Sequence, residues 1–179
     1  LPRQTSNVLI PITSLKDDEC YSPNYRDGEK LVLVRYPHAG TFEIPVVANN
    51  LRNKEAKSVL GNGTDAIGIT PSTAEKLSGA DFDGDTVLTI PYNPKTIRVT
   101  KSLEAFDPKK AYPKIEGMKV ISAKTKQTEM GKISNLITDM TIKGAPVDEL
   151  ARAVRHSMVV IDAEKHELNY TQSYHDNGI

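Results

Sequence analysis

Short runs of β-branched and aliphatic residues recur along the first half of the chain, separated by Pro, Gly, Asn and Asp. They occupy residues 7–12 (NVLIPI), 31–36 (LVLVRY), 43–48 (EIPVVA), 66–70 (AIGIT) and 86–91 (TVLTIP), with one more at 118–122 (MKVIS). Apolar runs of this length bounded by turn formers predict strands. Residues 70–77 (TPSTAEKL) break the pattern: Thr70 as a cap, Pro71 at the first helical position and Glu75 beyond it predict one short helix, which Ser78 and Gly79 end. Several short strands with one small helix predict a compact barrel, not a parallel sheet with helices on both faces.

The period changes after Lys126. Met130, Ile133, Leu136, Ile137 and Met140 repeat at helical spacing, until Gly144, Ala145 and Pro146 break the run. A second helical stripe, Val147, Leu150, Ala151, Val154, Met158 and Ile161, starts at once. Two helices joined by a short turn predict a hairpin packed on the barrel. The fold class expected is therefore α+β, with a barrel over 1–125 and the helical hairpin with a C-terminal extension over 126–179. Residues 168–179 are polar and read as irregular.

Composition narrows the class. The chain has 179 residues, 38% of them apolar and 26% charged, which is ordinary for a soluble globular protein. Cys20 is the only cysteine, which excludes an internal disulfide and a Cys-rich zinc site and fits a reducing, cytoplasmic compartment. No apolar run approaches the roughly 20 residues that span a bilayer, so no membrane partner is expected. The first residue is Leu1, not Met, which reads as a piece cut from a longer chain. Charge balances at 23 against 23 yet is unevenly spread: residues 95–132 hold ten Lys or Arg against four Asp or Glu. Such a segment suits a phosphate polymer, and equally a solvated loop.

The chemistry concentrates in GADFDGD at 79–85, where Asp81, Asp83 and Asp85 fall within five residues just ahead of an apolar strand. Mutual repulsion disfavours such a cluster unless a cation or solvent screens it. An EF-hand loop needs Gly at its sixth position and Glu at its twelfth. Counting from Asp81, Gly84 stands fourth and Tyr92 twelfth. A phosphohydrolase DxDG stretch ends a parallel strand, whereas residues 74–79 read as helical. An acidic turn without chemistry would need fewer carboxylates than three. The favoured reading is a hard-cation site for Mg²⁺, or Mn²⁺, in which Asp81, Asp83 and Asp85 form one face of an octahedron left open to phosphate. His38, His156, His166 and His175 lack ligand spacing and read as structural or solvated, and Met130, Met140 and Met158 as packing.

ADFDGD at 80–85 resembles the catalytic loop on the double-psi β-barrel in the largest subunit of multisubunit RNA polymerases. Arg35-Tyr36-Pro37 is similar to that family's Arg-x-Pro stretch upstream of the loop, and Gln127 and Gly131 fall where it has a Gln and a Gly. EMGKISN at 129–135 with HSMVVIDAEK at 156–165 is closer to a narrower branch, the eukaryotic RNA-silencing RNA-dependent RNA polymerases and their single-chain phage relatives. The resemblance spans roughly residues 31–165, and 47–78 has no counterpart in it.

The resemblance implies a six-stranded double-psi β-barrel and template-directed nucleotidyl transfer from NTPs to an RNA 3′-OH. Asp81, Asp83 and Asp85 would be both catalytic and metal-binding. Arg35, Pro37, Gln127, Lys132 and Lys165 would contact nucleotide or nucleic acid. In that family a second, lysine-bearing barrel faces the first, so this chain would need one from its parent chain or another subunit. Template, RNA product and NTPs are the implied partners, and a bacterial host cytoplasm the location if the element is a phage. The alternatives are a non-catalytic polymerase-like barrel for assembly or nucleic-acid binding, and a metal-dependent phosphohydrolase.

Overall fold

The structure is a computed structural model that describes residues 3–36, 40–77, 80–103 and 106–179. The chain divides into two compact units, Leu1–Ser102 and Leu103–Ile179.

The first unit is a nearly closed six-stranded barrel followed, in the second, by helices, so the α+β expectation holds. Its strands are β1 (Thr5–Pro11), β2 (Glu19–Cys20), β3 (Lys30–Val34), β4 (Val46–Asn49), β5 (Ala66–Ile69) and β6 (Thr86–Pro91), hydrogen-bonded in the order β2-β4-β3-β6-β1-β5. Two parallel pairs, β2 with β4 and β1 with β5, stand at the ends of this order and flank three consecutive antiparallel pairs. Past β2, Tyr21 bridges to Gly68 of β5, each backbone N–H donating to the other's carbonyl at 2.9 Å. That bridge ties the two sheet edges together and satisfies groups that an open edge would leave unpaired. Inside lies one apolar cluster, including Leu9, Leu31, Leu33, Val47, Ile67, Ile69, Leu77 and Val87, all at most 2% exposed.

Five of the six expected strands form. Residues 118–122 do not, because Ser122 turns the chain into a helix, its Oγ accepting from the Thr125 N–H at 3.2 Å. Ile121 packs instead against Val159, Ala163 and Leu168. The remaining barrel position goes to the two-residue β2, too short to leave a periodic signal. The strand expected from residue 43 starts at Val46, after a 3₁₀ turn over Gly40–Glu43 and Pro45. α1 (Lys54–Leu60), in the segment without a counterpart, is capped by Asn53 and buries Ala56 with Ile12, Leu15 and Tyr21. α2 (Pro71–Glu75) starts as expected, with Thr70 Oγ1 accepting from Thr73 N–H at 3.1 Å. The expected stop at Ser78 and Gly79 lies outside the described residues, as do Pro37 and His38.

The second unit holds α3 (Pro108–Ala111), α4 (Ala123–Ile142), α5 (Val147–Asp162) and α6 (Tyr170–Asn177). α4 and α5 form the expected hairpin about Gly144, whose φ of 69° suits a residue without Cβ. α6 replaces the irregular tail the polar sequence suggests. Asn169 Oδ1 caps its start at 3.1 Å from Gln172 N–H, and Gly178 ends it in the left-handed region. It meets α5 through a buried polar contact, His156 Nδ1 to Ser173 Oγ at 3.0 Å, and through Tyr170, which packs on the cluster of Val159, Ala163 and Leu168; within α6, Asn177 Nδ2 donates to the Ser173 carbonyl at 2.8 Å.

Burial of His156 lowers its pKa from the ordinary 6.5, against the opposing pull of Glu129. Above pH 6.5 the ring is neutral whether the unit is folded or not, and the α5–α6 contact contributes in full. As pH falls below that value the unfolded chain takes up the proton first, and stability is lost. Thermal melts between pH 7.5 and 5 are expected to fall by a few degrees in the wild type, and His156→Gln to flatten that dependence. Parallel curves for the two proteins would assign the effect to other groups.

Candidate functional site

The loop over residues 80–85 follows a barrel logic of alternate residues. Ala80 and Phe82 are partly buried against the barrel core, while Asp81 and Asp83 are exposed. Apolar anchors every second residue thus hold the loop down and turn the carboxylates outward. Gly84 takes φ of 112°, a conformation that L side chains rarely adopt, and so bends the chain into β6. The Asp85 carbonyl then accepts from Leu9 N–H at 2.9 Å, which fixes the loop's exit to β1.

The three carboxylates are engaged differently. Asp85 Oδ2 accepts from Asp81 N–H at 2.8 Å, closing the loop on itself. Asp81 Oδ1 accepts from Phe82 N–H, also at 2.8 Å. Asp83 stands at the exposed tip. Among the described residues no three His, Cys, Asp or Glu side chains gather as a metal-binding group. The donor set still suits a hard cation: three carboxylates on one short loop, with Asp83 open to solvent and only one oxygen of Asp81 committed to the backbone. Gathering them requires side-chain rotation.

Arg35 comes to this loop through the sheet. β3 runs antiparallel to β6 with Val34 opposite Leu88, so the residue after Val34 arrives where β6 begins. Its guanidinium lies 3.0 Å from Asp85 Oδ2, with the two side chains 21% and 25% exposed. The sequence shows an Arg at a strand end but not its partner, since β3 and β6 are neighbours in space and not in order. Arg35 and Asp85 are the pair of candidate site residues that the structure joins by an ion pair.

Gln127, Lys132 and Lys165 belong to the second unit and are all exposed. Lys132 is paired with Glu129 one turn earlier on α4, at 2.8 Å, and Lys165 follows the end of α5. Pro37 lies outside the described residues. Cys20 is buried and its thiol pKa is pushed up, which removes it as a nucleophile. The barrel unit also carries a cavity of about 290 Å³ lined by Asp17, Asp18, Phe42, Ile44, Lys76 and Thr100 among others, and none of the candidate site residues lines it. No described helix is long and apolar enough to cross a membrane.

No family model matches the sequence, and no curated protein does. Among solved structures, the chain is similar to the RNA dependent RNA polymerase QDE-1 from Thielavia terrestris, with a TM-score of 0.65 at 14% identity. The match covers 98% of this chain and 24% of that one, so the chain spans about a quarter of its neighbour's length. The likeness is one of fold, and it takes in both the six-stranded barrel and the helices that follow it.

Proposed function

We propose that this chain is the Asp-bearing barrel of an RNA polymerase, acting in template-directed nucleotidyl transfer from NTPs to an RNA 3′-OH with Mg²⁺, or Mn²⁺, as cofactor. The observation that carries this reading is the 80–85 loop itself, whose apolar anchors turn Asp81 and Asp83 outward at the head of β6 on a fold like that of QDE-1. Asp81, Asp83 and Asp85 would hold the cation. Bound there, it would stabilise charge on the attacking and leaving oxygens of an in-line displacement.

The chain's own residues supply position and charge. Ala80 and Phe82 set the height of the loop on the barrel, and Gly84 its turn. Arg35, Pro37, Gln127, Lys132 and Lys165 are proposed contacts for nucleotide, template and RNA product. The lysine-rich 95–132 segment would attract the nucleic-acid backbone in a salt-dependent way. A second double-psi barrel, from the parent chain or another subunit, would bring lysines to the triphosphate. The proposed setting is the cytoplasm, that of a bacterial host if the gene is a phage's.

The closed form of the loop, with Asp85 held by Arg35 and by Asp81 N–H, favours one other reading, a barrel kept for assembly or nucleic-acid binding. Metal titration separates the two. Water-proton relaxation with Mn²⁺ is expected to show weak binding to the wild type, since substrate phosphates complete the coordination. Asp83→Asn, which removes the most open carboxylate, is expected to weaken binding by at least about fivefold. Equal binding by the two proteins would leave the non-catalytic barrel as the better reading.

A further inference from the structure

We infer that Arg35 is a built-in competitor of the metal: its guanidinium pairs with Asp85 before a cation arrives, and its charge opposes any cation that takes that carboxylate as a ligand. The inference rests on the metal-binding reading of the loop and deepens it.

Four observations support it. The ion pair is short, 3.0 Å, and both partners are largely covered, so solvent screens it less than an exposed pair. It falls on the same Asp85 oxygen that accepts from Asp81 N–H, so one contact neutralises the carboxylate and stabilises the closed loop together. Its position is set by the β3–β6 register and not by a mobile side chain reaching over a surface. Finally, Arg35 is always charged, so a divalent ion on Asp85 would lie beside a fixed cation and be repelled by it. The arrangement keeps the cluster compact without metal and lowers its affinity for a bare cation.

A merely supporting Arg predicts the opposite sign. If Arg35 only shaped the loop for the metal, removing it would weaken binding. Competition predicts that Arg35→Gln binds Mn²⁺ about tenfold more tightly than the wild type, since a unit charge a few ångströms from a divalent ion in a largely aqueous medium is worth roughly that factor. Arg35→Lys, which keeps the charge, should stay close to the wild type.

The test is Mn²⁺ relaxation titration of the wild type, Arg35→Gln, Arg35→Lys and Asp83→Asn, with circular dichroism to establish folding. A second measurement needs no variant: the Arg35 Nε–Hε resonance in ¹⁵N spectra of the wild type should move as Mg²⁺ is added, together with the amides of residues 81–85. Tighter binding by Arg35→Gln and a moving Arg35 resonance support the competitor. Unchanged or weaker binding by a folded Arg35→Gln, or loop amides that shift while the Arg35 signal stays, overturns it and leaves the metal site standing. Wild type and Asp83→Asn that bind alike overturn the metal reading, and the competitor with it.

Discussion

Asp83→Ala, made in a polymerase that unites this barrel with an opposing lysine-bearing one, is expected to lower primer extension by at least about a thousandfold, the scale on which phosphoryl-transfer charge stabilisation operates. Nucleic-acid affinity should hardly change. The separation follows from where the charges are. Asp83 is exposed at the tip of a loop whose anchors, Ala80 and Phe82, remain in the variant, so the barrel keeps its shape. What would be lost is a ligand for the ion proposed to offset the triphosphate's charge. On the proposed reading, affinity for template and product would draw instead on the ten Lys or Arg of residues 95–132, and should fall with rising salt equally in both proteins. The 179-residue chain by itself is expected to extend no primer, because three carboxylates repel a triphosphate and one metal is insufficient without opposing cations. Primer extension at saturating template, beside a salt series of binding measurements, checks both halves. Activity that survives Asp83→Ala would remove the loop from the chemistry.

The parts of this molecule that were legible beforehand are those where one residue type has one physical use. Thr70 followed by Pro71 announces a helix start, and the cap is there at 3.1 Å. β-branched runs between turn formers announce strands, and β1, β3, β5 and β6 lie within a few residues of them. The illegible parts depend on partners distant in sequence. Residues 118–122 have a strand's composition, but Ser122 is committed to capping α4, and Ile121 finds its apolar partners on α5 and just beyond. α6 buries polar residues, Ser173 against His156 of α5 and Asn177 back onto Ser173, so hydrophobic periodicity carries no trace of it. The site divides in the same way. The carboxylates are visible in the string itself, whereas the Arg35–Asp85 pair exists only through the non-consecutive pairing of β3 with β6.

Gly68→Ala is expected to be the most damaging single methyl addition to the barrel. A Cβ at this position would lie 2.7 Å from Ile12 Cγ1, 3.3 Å from Leu60 Cδ1 and 3.5 Å from Tyr21 Cβ. The first distance is shorter than real Cβ contacts, and Ile12 has no room to withdraw, being fully buried. Gly68 is also the residue whose N–H and carbonyl both bond to Tyr21, so relieving the clash by moving the backbone opens the bridge that closes the barrel. Overpacking of this kind costs about 1–3 kcal/mol, and the entropy gained by restricting the unfolded chain offsets less than about 1 kcal/mol of that. A fall of roughly 3–8 °C in Tm is therefore expected. The role of α1 follows from the same contacts. Leu60, its last residue, reaches Gly68 from the segment that has no counterpart in the polymerase resemblance, which makes that helix a cover for the barrel's seam. A double-mutant cycle checks the assignment: Ile12→Ala should be costly in the wild type and much less so beside Gly68→Ala, because it removes the atom that the new methyl meets. Additive losses would mean that the seam yields elsewhere, and that Ile12 and Gly68 are not the pair that limits how tightly the barrel closes.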